Sequence, residues 1–151
     1  MSLVVSLIFL NGCKTDVERV IEGPWSIDTV YYDHYDIIRC LSSNAISFKG
    51  SSCNLPMIFG DCEGLQETSR EGNWKIHKSD SVPLILNIKS ENRIFNGSHR
   101  IVFIGDKENK LLKMILVSDK FYLVCRKGVF AYSSNLDLVE NLEEATWIRV
   151  E

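Results

Sequence analysis

The chain has 151 residues, of which 45% are apolar, 25% charged and 10% aromatic, with a formal net charge of −3. That is enough apolar mass for one packed domain and excludes a disordered chain. Lys and Arg are scattered rather than gathered into a stripe, which argues against nucleic acid as a partner, and no apolar run reaches the roughly 18 residues of a membrane-spanning helix.

The first element is "LVVSLIFL", Leu3 to Leu10, an apolar stretch of signal-peptide length. Asn11, Gly12 and Cys13 follow, and then polar chain. This arrangement resembles a bacterial lipobox. There a small residue lets the peptidase approach the backbone, and the cysteine thiol takes up diacylglycerol. On that reading residues 1–12 are a lipoprotein signal peptide, and residues 13–22 are the lipidated N-terminus and a polar tether. The implied address is the outer membrane of a cell envelope, on its periplasmic or surface face, with the membrane as partner through the anchor. The absence of Lys or Arg before the apolar run departs from the pattern. The competing reading makes Leu3 to Leu10 a buried first strand and Cys13 a core thiol.

With Cys13 acylated, Cys40, Cys53, Cys62 and Cys125 remain. Four thiols allow three full pairings, and the sequence does not choose among them. Envelope disulfides and buried free thiols both fit. No C-x-x-C is present, which excludes zinc ribbons and thioredoxin-type motifs.

From Gly23 the signals are of strand type. In "WSIDTVYYD" alternation places Trp25, Ile27, Thr29 and Tyr31 on one face. Two short strands flank the turn Lys49-Gly50-Ser51, with Cys53, Leu55 and Met57 sharing a face. A looser stretch leads to a strand carrying Trp74 and Ile76. Strands with Leu84, Leu86 and Ile88, then Ile101 and Phe103, then Leu112, Met114 and Leu116, then Phe121, Leu123 and Cys125 follow at short spacing. Near the end Leu136, Val139 and Leu142 recur at helical spacing, predicting a short helix at 135–145. About eight strands joined by short turns must pair antiparallel. The expected fold is an all-β, eight-stranded up-and-down barrel over residues 23–151 with a short C-terminal helix.

The segments "EGPWSI" at Glu22 to Ile27 and "EGNWKI" at Glu71 to Ile76 carry a Gly-x-Trp. The first resembles the start of the first strand in lipocalins and related calycins, where the Trp closes one barrel end and an Arg stacks across it. The resemblance implies that Trp25 and Arg126 form this closure. The family's other short motifs are not visible. The chain as a whole is similar to small lipocalin-like lipoproteins of Bacteroidetes-type bacteria. In that group O-glycosylation falls at Asp-(Ser/Thr)-apolar sites, and the resemblance implies Ser81 as a candidate, from Asp80-Ser81-Val82.

His34 between Asp33 and Asp36 is a loop more readily than a metal site, and no nucleophile elbow or phosphate loop is present. No enzyme activity, metal or cofactor is expected. Ile27, Tyr31, Phe48, Met57, Trp74, Ile76, Leu86, Phe103, Met114 and Phe121 would line an interior suited to a small apolar ligand. The same residues suit a filled core. Two functions follow. One is a lipid-anchored barrel binding a small apolar ligand or an envelope protein. The other is a structural or inhibitory accessory lipoprotein with a packed barrel acting through "YYDHYD" and "GDCEGLQETSREG".

Overall fold

The computed structural model describes residues 14–60, 62, 64–79, 82–106 and 109–128. Among them lie one α-helix, α1 (Asp16–Ile21), and nine strands: β1 (Gly23–Tyr32), β2 (Tyr35–Asp36), β3 (Ala45–Lys49), β4 (Ser52–Asn54), β5 (Glu71–Ser79), β6 (Val82–Ser90), β7 (Gly97–Asp106), β8 (Leu111–Val117) and β9 (Phe121–Gly128). Each strand from β3 to β9 pairs antiparallel with its successor, β1 pairs with β3, and β9 pairs back onto β1. Eight strands therefore close into a barrel, as expected from the short spacing of the apolar runs. The small β2 only extends one edge of β1 through Tyr31–Asp36 and Tyr32–Tyr35. The expected C-terminal helix at 135–145 lies outside the described residues, as does Ser81.

Alternation drives the closure. Along β8, Leu112, Met114 and Leu116 are buried while Lys113 is exposed. Along β9, Phe121, Leu123 and Cys125 are buried while Tyr122 and Arg126 face out. In β1 the alternation breaks. Ile27 pairs with Cys125 but Thr29 pairs with Val124, so Asp28 is the extra residue of a bulge. The bulge inverts the faces beyond it. Val30 is fully buried and Tyr31 is exposed, which corrects the inward placement of Tyr31 drawn from uninterrupted period two.

The stretch read as a polar tether instead carries α1. Thr15 caps it: its hydroxyl accepts from the Glu18 N–H at 3.3 Å, and the Glu18 carboxylate accepts from the Thr15 N–H at 2.8 Å. This reciprocal pair satisfies donors that a helix start leaves open. Val17, Val20 and Ile21, spaced three and four apart, are buried against the barrel. Glu22 then fixes the join, accepting from the Lys14 ammonium at 2.5 Å and from the Gly50 N–H at 3.0 Å in the β3–β4 turn. Gly23 leaves the helix with φ +104°, a conformation that excludes most side chains.

The barrel thus has two distinct ends. One is covered by α1 and holds the β3–β4 turn. The other carries the longer connections, β1–β3 and β4–β5, together with the β6–β7 and β8–β9 turns. This loop end is also covered. Ile37, Ile58 and Phe95 are completely buried there. The Asn92 side chain donates to Pro56 O at 3.2 Å and Ser69 O at 3.1 Å, and accepts from the Ile94 N–H at 3.2 Å. A disulfide, Cys40–Cys62, ties the β1–β3 connection to the β4–β5 connection. Leu41–Ile58 and Ile58–Glu67 bridges complete the plate.

Candidate functional site

Three places could carry function: the interior, the α1 end and the outer wall of the loop end.

The interior is filled. Ile27, Phe48, Trp74, Leu86, Phe103, Met114 and Phe121 all face it and are buried, as their sequence positions predicted. Leu86, Met114, Leu116 and Leu123 expose no surface at all. A side chain bordering a void that admits water would show area there, so among the described residues the barrel midline holds none. Phe48 and Trp74 pack edge to face at 5.4 Å, and Phe95 and Phe121 at 5.3 Å. Besides Tyr31, two residues expected among the lining do not join it fully. Met57 lies beyond the end of β4 and is half-buried, its N–H bonded to the Ser42 hydroxyl at 2.9 Å. Ile76 is half-buried towards the α1 end of β5.

The cysteines divide by environment. Cys40 and Cys62 form the disulfide, with Cα atoms 6.1 Å apart. Cys53 and Cys125 are buried free thiols. Burial pushes the Cys53 thiol up to about 11. Burial, the main cause, raises Cys125 further, and its Sγ–H donates to Met114 O at 3.5 Å. Both are protonated core side chains of low reactivity.

At the α1 end Trp25 is buried, and its indole N–H donates to Ile21 O at 2.7 Å. The cation over its ring is Lys127, 4.5 Å from the centroid. Arg126, the residue implied by the resemblance, points outward and pairs with Asp28 at 3.1 Å. The reason is strand parity. Ser26 on β1 is exposed and opposite Arg126, so the neighbouring Lys127 is the one that turns in. The Lys127 ammonium also donates to the carbonyls of Val20 and Glu22. Burial lowers its pKa to about 8, opposed by the negative charge of Glu22. Sequence reasoning missed Lys127, although the alternation that turns Phe121, Leu123 and Cys125 inward also turns Lys127 inward and Arg126 outward. It also missed α1, although Thr15-x-x-Glu18 is a legible capping signal.

His99, also not anticipated as a core residue, is buried beneath the loop end. Its Nε2 lies 2.9 Å from Phe95 O. A carbonyl only accepts, so Nε2 carries the proton, and Nδ1 has no partner among the described residues. Burial lowers the His99 pKa. Its ring packs on Phe121 at 4.8 Å. No group of three or more His, Cys, Asp or Glu side chains is placed to hold a metal ion among the described residues.

The outer wall carries two open grooves of interest. The larger, about 850 Å³, crosses β3 to β6 and is lined by Lys49, Arg70, Glu71 and Lys89 among other polar residues. The smaller, about 350 Å³, lies at the loop end between the β1–β2 and β8–β9 turns, with Tyr31, His34, Lys120 and Tyr122 in its walls.

The fold and these surfaces define the protein as a closed, antiparallel β-barrel of eight strands, plugged at one end by a helix. No family model, no curated protein and no solved structure matches this chain.

Proposed function

We propose that this is a lipid-anchored binding module of a bacterial envelope, with a solid barrel that makes its contacts through the loop end. The observation that carries the reading is the filled interior. Side chains from facing strands meet with no exposed area at the midline, which weighs against a stored apolar ligand and leaves the outside to act. The lipobox-like "LNGC" at Leu10 to Cys13 supports the anchor. Only Lys14 and Thr15 separate Cys13 from α1. An acylated Cys13 would therefore hold the α1 end near the bilayer and present the loop end away from it. The Cys40–Cys62 disulfide supports export, because such bonds persist in oxidising compartments.

Two measurements on the full chain expressed in a bacterial host with lipoprotein processing test this. Labelled palmitate should enter the wild type and not Cys13→Ser, and the variant should leave the membrane fraction, because stable anchoring takes about two acyl chains or more. Native mass spectrometry of the purified protein should show no stoichiometric small-molecule adduct beyond the anchor. Unlabelled wild type overturns the anchor. A retained apolar adduct overturns the solid barrel.

A further inference from the structure

The smaller groove is built by three features that local pattern alone does not produce. The Asp28 bulge turns Tyr31 from the interior to the outer wall, the kind of re-aiming that bulges perform beside functional sites. Tyr31 then stands directly across from Tyr122 of β9, the two rings 6.4 Å apart and tilted by 46°. Both remain more than a third exposed, at 38% and 37%. Beyond them the chain turns on Asp33 and His34, which have φ of +50° and +71°. Both lie in the left-handed region, sparsely used by residues with a Cβ. The Asp33 N–H donates to Lys120 O at 2.7 Å, so one turn is tied to the other and His34, Asp119 and Lys120 are set around the tyrosines.

The chemistry of the walls narrows the ligand. Among the described residues the hydroxyls of Tyr31 and Tyr122, the imidazole of His34, the carboxylate of Asp119 and the ammonium of Lys120 make no hydrogen bond or ion pair. A hydrocarbon would cover these groups without satisfying them. A simple anion would meet Asp119, and a simple cation would meet Lys120. The tyrosine faces ask for C–H surface, and the free groups ask for donors and acceptors together. A pyranose ring has both, with C–H bonds on its faces and hydroxyls around its edge. The groove volume of about 350 Å³ falls within the roughly 300–1,000 Å³ of small-molecule sites. The larger groove offers no aromatic face.

We propose that the groove between the β1–β2 and β8–β9 turns binds a neutral glycan, stacked on Tyr31 and Tyr122 and hydrogen-bonded by His34, Asp119 and Lys120. The inference rests on the loop end being the contact surface, but not on the lipid anchor.

The test is titration of the full chain, held in detergent, with maltotriose, cellotriose, mannotriose and chitotriose at millimolar concentration, followed by NMR line broadening of the sugar. At least one should bind saturably. Tyr122→Ala and Tyr31→Ala should each weaken it by about tenfold or more, while Tyr122→Phe, which keeps the ring, and Lys89→Ala in the larger groove should stay within about threefold. Circular dichroism of each variant reports folding, and Tyr122→Phe keeps the comparison valid if an alanine variant unfolds. Binding of none of the sugars overturns the proposal. So does binding that survives both tyrosine substitutions or that is lost in Lys89→Ala. The palmitate and native-mass measurements are independent of these outcomes, so failure of the groove leaves the envelope reading to stand or fall on its own test.

Discussion

Lys127 places its ammonium 4.5 Å from the centre of the Trp25 ring, between two carbonyls at the end of α1. One side chain therefore joins β9, β1 and the helix that plugs the barrel. Trp25→Ala should cost about 3–5 kcal/mol, as expected for truncating a buried Trp. Lys127→Ala should cost about 1–3 kcal/mol, because it strips partners from part-buried carbonyls. A urea double-mutant cycle should show coupling of about 0.5–2 kcal/mol between Trp25 and Lys127. The cycle of Trp25 with Arg126 should be additive. Coupling to Arg126 in place of Lys127 would contradict the geometry.

The disulfide makes a separate prediction. Cys40 and Cys62 are 22 residues apart, and a closed loop of that length restricts the unfolded chain by about 3 kcal/mol in the entropic account. Replacing both by Ser should lower the urea midpoint accordingly. In the domain from Lys14 onward, a thiol reagent should find no reactive group in the native state and two, Cys53 and Cys125, after denaturation. Four after denaturation without reductant would mean that the bridge does not form.

Gly72 is crowded rather than flexible. A Cβ there would lie 3.0 Å from Cys53 Sγ, 3.1 Å from Ser90 Cβ and 3.2 Å from Lys89 O. Gly72→Ala should destabilise the barrel by about 1–3 kcal/mol through overpacking. Adding Cys53→Ala removes the nearest of these atoms, so the double variant should lose less than the sum of the single losses. Equal or greater loss on thermal melting would mean that Ser90 and the Lys89 backbone, not the thiol, set the clash.

Acid should act first through His99. Its pKa in the folded protein is lowered by burial from an ordinary 6.5, so the unfolded chain takes up the proton more readily. The stability it contributes is fully present above pH 6.5 and is lost as pH falls towards the folded value. Glu22, held low chiefly by the hydrogen bond from Lys14, responds only below its ordinary 4.5. Urea midpoints should therefore already decline between about pH 6.5 and pH 5. His99→Gln, which retains a donor for Phe95 O, should flatten that decline. An unchanged slope would assign it to another group.

The sequence by itself determined the strands of the barrel and, where no bulge intervenes, which of their residues face inward. Alternation is a local property, and the buried sets of β6, β7, β8 and β9 follow it residue by residue. Short turns left antiparallel pairing as the only choice, and enough strands were present to close. Tertiary structure decided everything that depends on a partner. A bulge at Asp28 exists only relative to β9, so Tyr31 could not be placed from period two. Alternation along β9 turns Lys127 inward, but that it meets Trp25 depends on β9 pairing with β1. The pairing of Cys40 with Cys62 required knowing that two loops share one barrel end. A six-residue helix is too short to hold itself by propensity, and it stands because Val17, Val20 and Ile21 find the open end of the barrel and fill it.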